Sequence, residues 1–244
     1  MKMKKKMLIG SVVLVMAAAV ILGGIKLYRI HERDEVGILL AFDDYNAQNW
    51  EGYFDLFDEY DVRVTFFINA SEPTEFCGHA RDRGHEIAFH TVSHIRLTEL
   101  SEEQVYEEAI APIEVFREKG FELSTFAYPY GAYNEELNER LLEYYKVLRG
   151  AYSLEFDSKH IFRKGFVESM SLDNGNYDSQ EQYEERIVEI LNELKERKAT
   201  AVSMYSHAIG AGDWSVSEEK LRFLLQKAKE MGVQFYTFQE LQNW

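Results

Sequence analysis

Val36-Gly37-Ile38-Leu39-Leu40-Ala41-Phe42 runs straight into Asp43-Asp44. An uncharged, mostly apolar run of this length reads as a buried strand. Two adjacent carboxylates at its end repel one another and lose hydration, so something must offset that cost. The same grammar recurs downstream. Residues 62–68 (VRVTFFI), Glu86–Phe89, 124–128, 201–205 and 233–238 also read as strands. Helices are expected over 101–119, 134–145, 179–197 and 216–232, and Trp50, Phe54 and Phe57 stand at helical spacing within 47–60. Ser101 and Gln104 fit a capping box, and Gly120 and Gly232 sit where helix C-caps belong. Strand alternating with helix predicts an α/β fold with a parallel sheet, either open and doubly wound or closed into a barrel. In both, chemistry gathers at the C-terminal ends of the strands.

Composition narrows the function classes. The chain has 244 residues, 46% hydrophobic and 14% aromatic with three Pro, which excludes a disordered or collagen-like protein. Its one cysteine, Cys77, excludes a disulfide framework and a thiolate zinc cluster. Lys and Arg number 27 against 42 Asp and Glu, a net charge of −15 that argues against nucleic acid as a partner.

The charge is unevenly placed. Residues 1–29 hold six basic side chains and no acid, leaving 21 basic against 42 acidic, or −21, for the rest. Within them, 7–25 is an uncharged run of nineteen residues, close to the ~20 that span a bilayer core. The basic flank predicts a cytoplasmic N-terminus. An uncleaved signal anchor and transmembrane helix is therefore expected over 1–29, a linker over 30–35 and one exported domain over 36–244. The alternative is a signal peptide cleaved after Ala17-Ala18-Ala19 and a secreted protein. Val20-Ile21-Leu22 carries the apolar run past those alanines and favours the anchor. Both readings place the acidic domain outside the cytoplasm.

Four strand ends carry polar residues. Asp43-Asp44 could cap the helix that follows. His90 and His94, four residues apart after the strand Glu86–Phe89, could hold one metal ion or simply be core or capping residues. Pro129-Tyr130-Gly131 is a rigid turn that could aim the Tyr130 N–H into a cavity. His207 closes the strand at 201–205 and could be a rim residue. Their coincidence at strand ends reads as one site. An Asp with two His is a ligand set that catalytic zinc uses, with a position left for water. A second carboxylate to take the water's proton and a distant His to protonate a leaving amine complete metal-assisted hydrolysis of an amide or ester.

These residues resemble, in order and spacing, the motifs of the polysaccharide deacetylases of carbohydrate esterase family 4, the chitooligosaccharide deacetylase homology domain. Ala41-Phe42-Asp43-Asp44 is similar to the family's Thr-Phe-Asp-Asp, His90–His94 to its His-(Ser/Thr)-x-x-His, Pro129-Tyr130-Gly131 to its Pro-Tyr-Gly, and 202–207 to its last strand ending in His. The resemblance implies a deformed (β/α)₇ barrel that removes acetyl groups from N-acetylated, or sometimes O-acetylated, polysaccharide. It implies Asp43 as general base, Asp44, His90 and His94 as ligands of a divalent metal, most often zinc, His207 as general acid and the Tyr130 N–H as oxyanion donor. Pro129, Gly131, Asp173, Asn176, Tyr177 and Trp214 are expected to bind substrate or support these groups, with Tyr133 a further aromatic near the site.

Two departures stand out. Ala127 occupies the place of the family's Arg that pairs with the base, so only the metal is expected to face Asp43 with positive charge. Asn176 replaces the Asp that orients the acid His, leaving its amide or Asp173 to orient His207. Missing partners are also what a non-catalytic glycan-binding module on a decayed deacetylase fold would show.

Overall fold

The computed structural model describes residues 36–156, 165–197 and 200–241. β1 (Val36–Phe42) forms where expected, followed by β2 (Thr65–Ile68), β3 (Glu86–Phe89), β4 (Thr125–Ala127) and β5 (Val147–Arg149). Each lies parallel to the one before it. β6 (Phe166–Val167) and β7 (Ser169–Ser171) are separated by Glu168 alone. β6 pairs with β5, while β7 pairs with β8 (Thr200–Ser206). β8 returns to β1 along its whole length, from Val36↔Thr200 to Phe42↔Ser206. With β6 and β7 counted as one strand bulged at Glu168, seven parallel strands run round a nearly closed barrel. Beyond β8 lies a short parallel pair, β9 (Ala208–Ile209) and β10 (Ser215–Val216). β11 (Gln234–Tyr236) wedges against the first half of β1, on the side where β2 takes the second half.

Side-chain alternation divides the interior in two. Ile38, Leu40 and Phe42 face outward into a core shared with helical residues such as Leu191 and Leu224. Leu39 and Ala41 face the lumen, with Phe67, Ala88, Ala127, Val147, Ala201 and Tyr205. Strands buried on both faces explain why each reads as a continuous apolar run. Lumen parity continues to the strand ends and past them. It runs from 39 and 41 to Asp43, from 86 and 88 to His90, from 147 to Arg149, and from 201 and 205 to His207. At the opposite end, the buried Glu86 carboxylate accepts the hydroxyls of Thr65 (2.9 Å) and Thr125 (2.7 Å) and the Gln239 N–H (2.9 Å), closing the floor with the helix Phe238–Leu241.

Several helices depart from expectation. Residues 47–60 form two short helices, Ala47–Glu51 and Phe54–Glu59. The helix expected over 101–119 breaks into Glu102–Ala109 and Pro112–Glu118, because Pro112 has no N–H to donate to the turn behind it. The Ser101–Gln104 capping box is present. Helices Glu135–Leu141, Gln180–Arg197 and Glu218–Met231 form near their expected bounds, the last ending on Gly232 at φ 70°. Helix Glu75–Asp82, β5, β6 and β7 were not among the expected elements. The expected anchor at 7–25 lies outside the described residues; among those described, no helix is long and apolar enough to cross a membrane.

Candidate metal centre and active site

β1 delivers the two aspartates in opposite directions. The Asp43 N–H still donates to Ser206 O (2.9 Å), so Asp43 keeps strand geometry and points into the lumen, 3% exposed. Asp44 (φ 73°) and Tyr45 (φ 56°) are left-handed, and this turn sends the Asp44 carboxylate toward the histidines. Neither aspartate caps the next helix, whose N-cap is Asn46.

Asp44 Oδ1 lies 3.3 Å from His90 Nε2 and 3.0 Å from His94 Nε2. The three ligand atoms fall within 4.8 Å of one another. His90 Nδ1 bonds Ala127 O (2.8 Å). A neutral His90 therefore carries its proton on Nδ1 and presents a bare Nε2 lone pair to Asp44. Asp44 Oδ1 is buried with no hydrogen-bond partner. Lone pairs converging on one point suit a cation, and one carboxylate with two imidazoles suits zinc.

Asp43 faces a partner that sequence reasoning missed. Arg149 Nη2 lies 2.5 Å from Asp43 Oδ2, and both side chains are buried. The guanidinium sits between the rings of Phe67 (4.9 Å) and Tyr205 (4.6 Å). The expectation that only the metal faces Asp43 is thus corrected: the arginine absent at 127 stands on the adjacent strand. The sole sequence signal was one Arg closing the short apolar run Val147-Leu148 before Gly150. Asp43 Oδ1 is left buried without a partner.

His207 is oriented by Asp173. His207 Nδ1 bonds Asp173 Oδ2 (2.7 Å), and the Ser206 hydroxyl donates to Asp173 Oδ1 (2.6 Å). Asn176 does not reach the imidazole. Its amide donates to Ser171 Oγ (2.8 Å), which in turn donates to Asp173 Oδ2 (2.9 Å). Burial pulls the His207 imidazolium down, but the Asp173 hydrogen bond, with Asp43 and Asp44 nearby, outweighs it and raises the pKa. His207 Nε2 points back to Asp44 Oδ2 at 3.7 Å.

The Pro129-Tyr130-Gly131 turn is left-handed at Tyr130 (φ 58°) and Gly131 (φ 60°). A Cβ at Gly131 would lie 2.9 Å from the Tyr152 ring, whose hydroxyl donates to Tyr130 O (2.6 Å). Pro129 is buried beneath, and the half-exposed Tyr130 ring packs on His94 at 4.6 Å. On the opposite flank Trp214, 74% exposed, meets His207 edge-on at 5.4 Å. Tyr177 and Tyr133 do not stand free as sugar platforms. Tyr177 packs on Tyr183 and donates to Ser171 O, while Tyr133 is wedged against Tyr128 and Phe166 with its hydroxyl on Glu168.

Residues 31–146 match the family model described as polysaccharide deacetylase. The chain is 29% identical over 109 residues to the peptidoglycan-N-acetylglucosamine deacetylase PgdA of Listeria monocytogenes, a match covering 43% of this chain and 23% of that protein. The chain thus spans less than a quarter of the length of the curated relatives it matches. Its fold is similar to peptidoglycan deacetylase PdaC from Bacillus subtilis (TM-score 0.60, 18% identity, 86% of this chain and 92% of that one). It is also similar to the chitin deacetylase from Colletotrichum lindemuthianum (TM-score 0.61, 19% identity, 84% and 86%).

Proposed function

The chain belongs, through residues 31–146, to the polysaccharide deacetylase family, and from that premise we propose that it is a metal-dependent hydrolase removing acetyl groups from an N-acetylated or O-acetylated polysaccharide of the cell envelope or exported by the cell. One observation carries this reading. The Asp44, His90 and His94 ligand atoms converge between the buried pair Asp43–Arg149 and the part-buried pair His207–Asp173.

Asp44, His90 and His94 would hold the metal, which when bound polarises a carbonyl and acidifies water. Arg149 neutralises and aims Asp43 through Oδ2, leaving Oδ1 to take a proton from the attacking water. The water oxygen bonds to the acetyl carbon, and the Tyr130 N–H, which donates to no other described residue, faces the developing oxyanion. His207, kept protonated by Asp173, gives its proton to the departing amine as the C–N bond breaks, and acetate leaves. Trp214 and the Tyr130 ring flank this centre as walls for sugar rings.

The N-terminal run at 7–25 supports a single-pass anchor that keeps the domain at the outer membrane face, with secretion after cleavage as the alternative. The −21 domain favours neutral or partly deacetylated glycans over strongly anionic ones. The binding-module reading rested on absent Arg and Asp partners; Arg149 and Asp173 stand in those roles from other positions.

The test is acetate release by the zinc-supplied protein from N-acetylglucosamine oligomers, peptidoglycan and acetylated xylan. Asp43→Asn is expected to slow release by about 10²- to 10⁴-fold. Release unaffected by that change would remove the mechanism, and glycan binding without turnover would favour the binding module.

A further inference from the structure

The two imidazoles facing Asp44 are supported differently. His90 continues β3: its N–H donates to Ile68 O (3.0 Å), and its ring is tied to Ala127 O. His94 stands at the far end of an irregular loop. Within that loop Thr91 (φ 66°) and His94 (φ 53°) are both left-handed, a conformation rarely taken by non-glycine residues and least by β-branched ones. Such a loop persists only where its surroundings impose it.

Glu108 supplies that constraint. Its Oε2 accepts the N–H groups of Val92 (3.1 Å) and Ser93 (2.9 Å), and its Oε1 accepts the Ser93 hydroxyl (2.7 Å). Its backbone carbonyl also accepts the Val92 N–H at 3.1 Å. That carbonyl is available because the helix stops there. In a continuous helix residue 112 would donate to the carbonyl of residue 108, and Pro112 has no N–H. The helix break therefore turns both the carbonyl and the carboxylate of one residue toward the histidine loop. Two consecutive N–H groups aimed at a single oxygen call for an acceptor with no competing proton, which an ionised carboxylate provides.

We propose that Glu108, freed by the break at Pro112, is a positioning residue that holds the 91–94 backbone in its left-handed form and so presents His94 to the metal. The inference rests on the metal-dependent reading above. Without Glu108 the loop would relax toward ordinary dihedrals and carry the His94 ring away from Asp44, while His90, fixed by β3, would stay.

The experiment measures zinc affinity of the full chain by competition with a chromophoric chelator, together with melting of the metal-free protein. Wild type is compared with Glu108→Ala, Glu108→Gln and Glu108→Asp. Glu108→Ala is expected to weaken zinc binding about 10- to 100-fold, while Glu108→Gln, whose amide oxygen still accepts both N–H groups, stays within about threefold of wild type. Zinc held equally tightly by wild type and Glu108→Ala overturns the proposal. Equal losses in the Ala and Gln variants overturn it too, because charge rather than the held backbone would then be responsible. Should melting show that Glu108→Ala does not fold, Glu108→Asp decides. Its carboxylate is one methylene short of the Val92 and Ser93 N–H groups, and unchanged affinity overturns the proposal. A wild-type chain that takes up no zinc brings down the metal reading along with it, a failure visible without any variant.

Discussion

Ala127 and Arg149 are register partners on adjacent parallel strands, so the small residue on one leaves the lumen open to the guanidinium of the other. The cation that faces Asp43 thus stands one strand along the barrel from position 127, in the same layer. Arg149→Ala strips the buried Asp43 of that partner, and breaking such a pair costs about 3–5 kcal/mol. Urea titration should show this loss along with a fall in acetate release. Adding Ala127→Arg to Arg149→Ala should recover part of both. A double variant no better than Arg149→Ala would mean that position 127 cannot reach Asp43.

The acid side separates Asp173 from Asn176. Asp173 raises the pKa of His207, and His207 must be protonated to serve as acid. The alkaline limb of the kcat–pH profile therefore marks its deprotonation. Asp173→Asn should move that limb to lower pH and cut kcat by about 10²-fold or more. Asn176→Asp should leave the limb in place, since residue 176 reaches the imidazole only through Ser171 and Asp173.

His85 sets an acid limit on stability. It is buried against Phe54, Phe57 and Phe66, and its Nδ1 accepts the Val64 N–H at 3.2 Å. Burial, helped by the Arg63 charge, lowers its pKa from 6.5 to about 4. Between these values the unfolded chain binds a proton that the folded chain does not, so stability is full above 6.5 and falls as pH drops toward 4. The loss attributable to His85 at pH about 4.5 is about 2–3 kcal/mol. His85→Phe should be less stable at neutral pH, where the Val64 N–H loses its acceptor, yet show a shallower decline on acidification. Urea midpoints at several pH values check this, and parallel declines would refute it.

Metal removal should act on stability as well as on rate. A cation bound only by the folded state stabilises it by about 4 kcal/mol at 1,000 times its Kd. Chelation should lower Tm, and zinc should restore it. Asp44→Ala should melt at the same temperature with and without zinc.

Much of this site is legible in the chain's residue order. Asp43-Asp44, His90–His94, Tyr130 and His207 each follow closely on an apolar strand, and alternation along a strand carries the lumen face one residue past its end. Arg149 is not legible there, because three residues of β5 carry no readable period and because its role depends on which strand lies beside β4. Asp173 reads only as an alternative to Asn176, since sequence spacing does not say which side chain a turn brings under His207. Glu108 lies inside what reads as one continuous helix, and the break at Pro112 is what gives it a role.

Chain order and local chemistry thus determined β1 to β4, β8 and β11, the polar residues that follow β1, β3, β4 and β8, and the candidate ligand set among them. Pairing across the barrel decided the rest. Asp43 and Arg149 are 106 residues apart and His207 and Asp173 34 apart. Such charges become neighbours only when closure of the seven-strand ring sets the register of each strand against the next, and register is a property of the packed sheet rather than of any one segment.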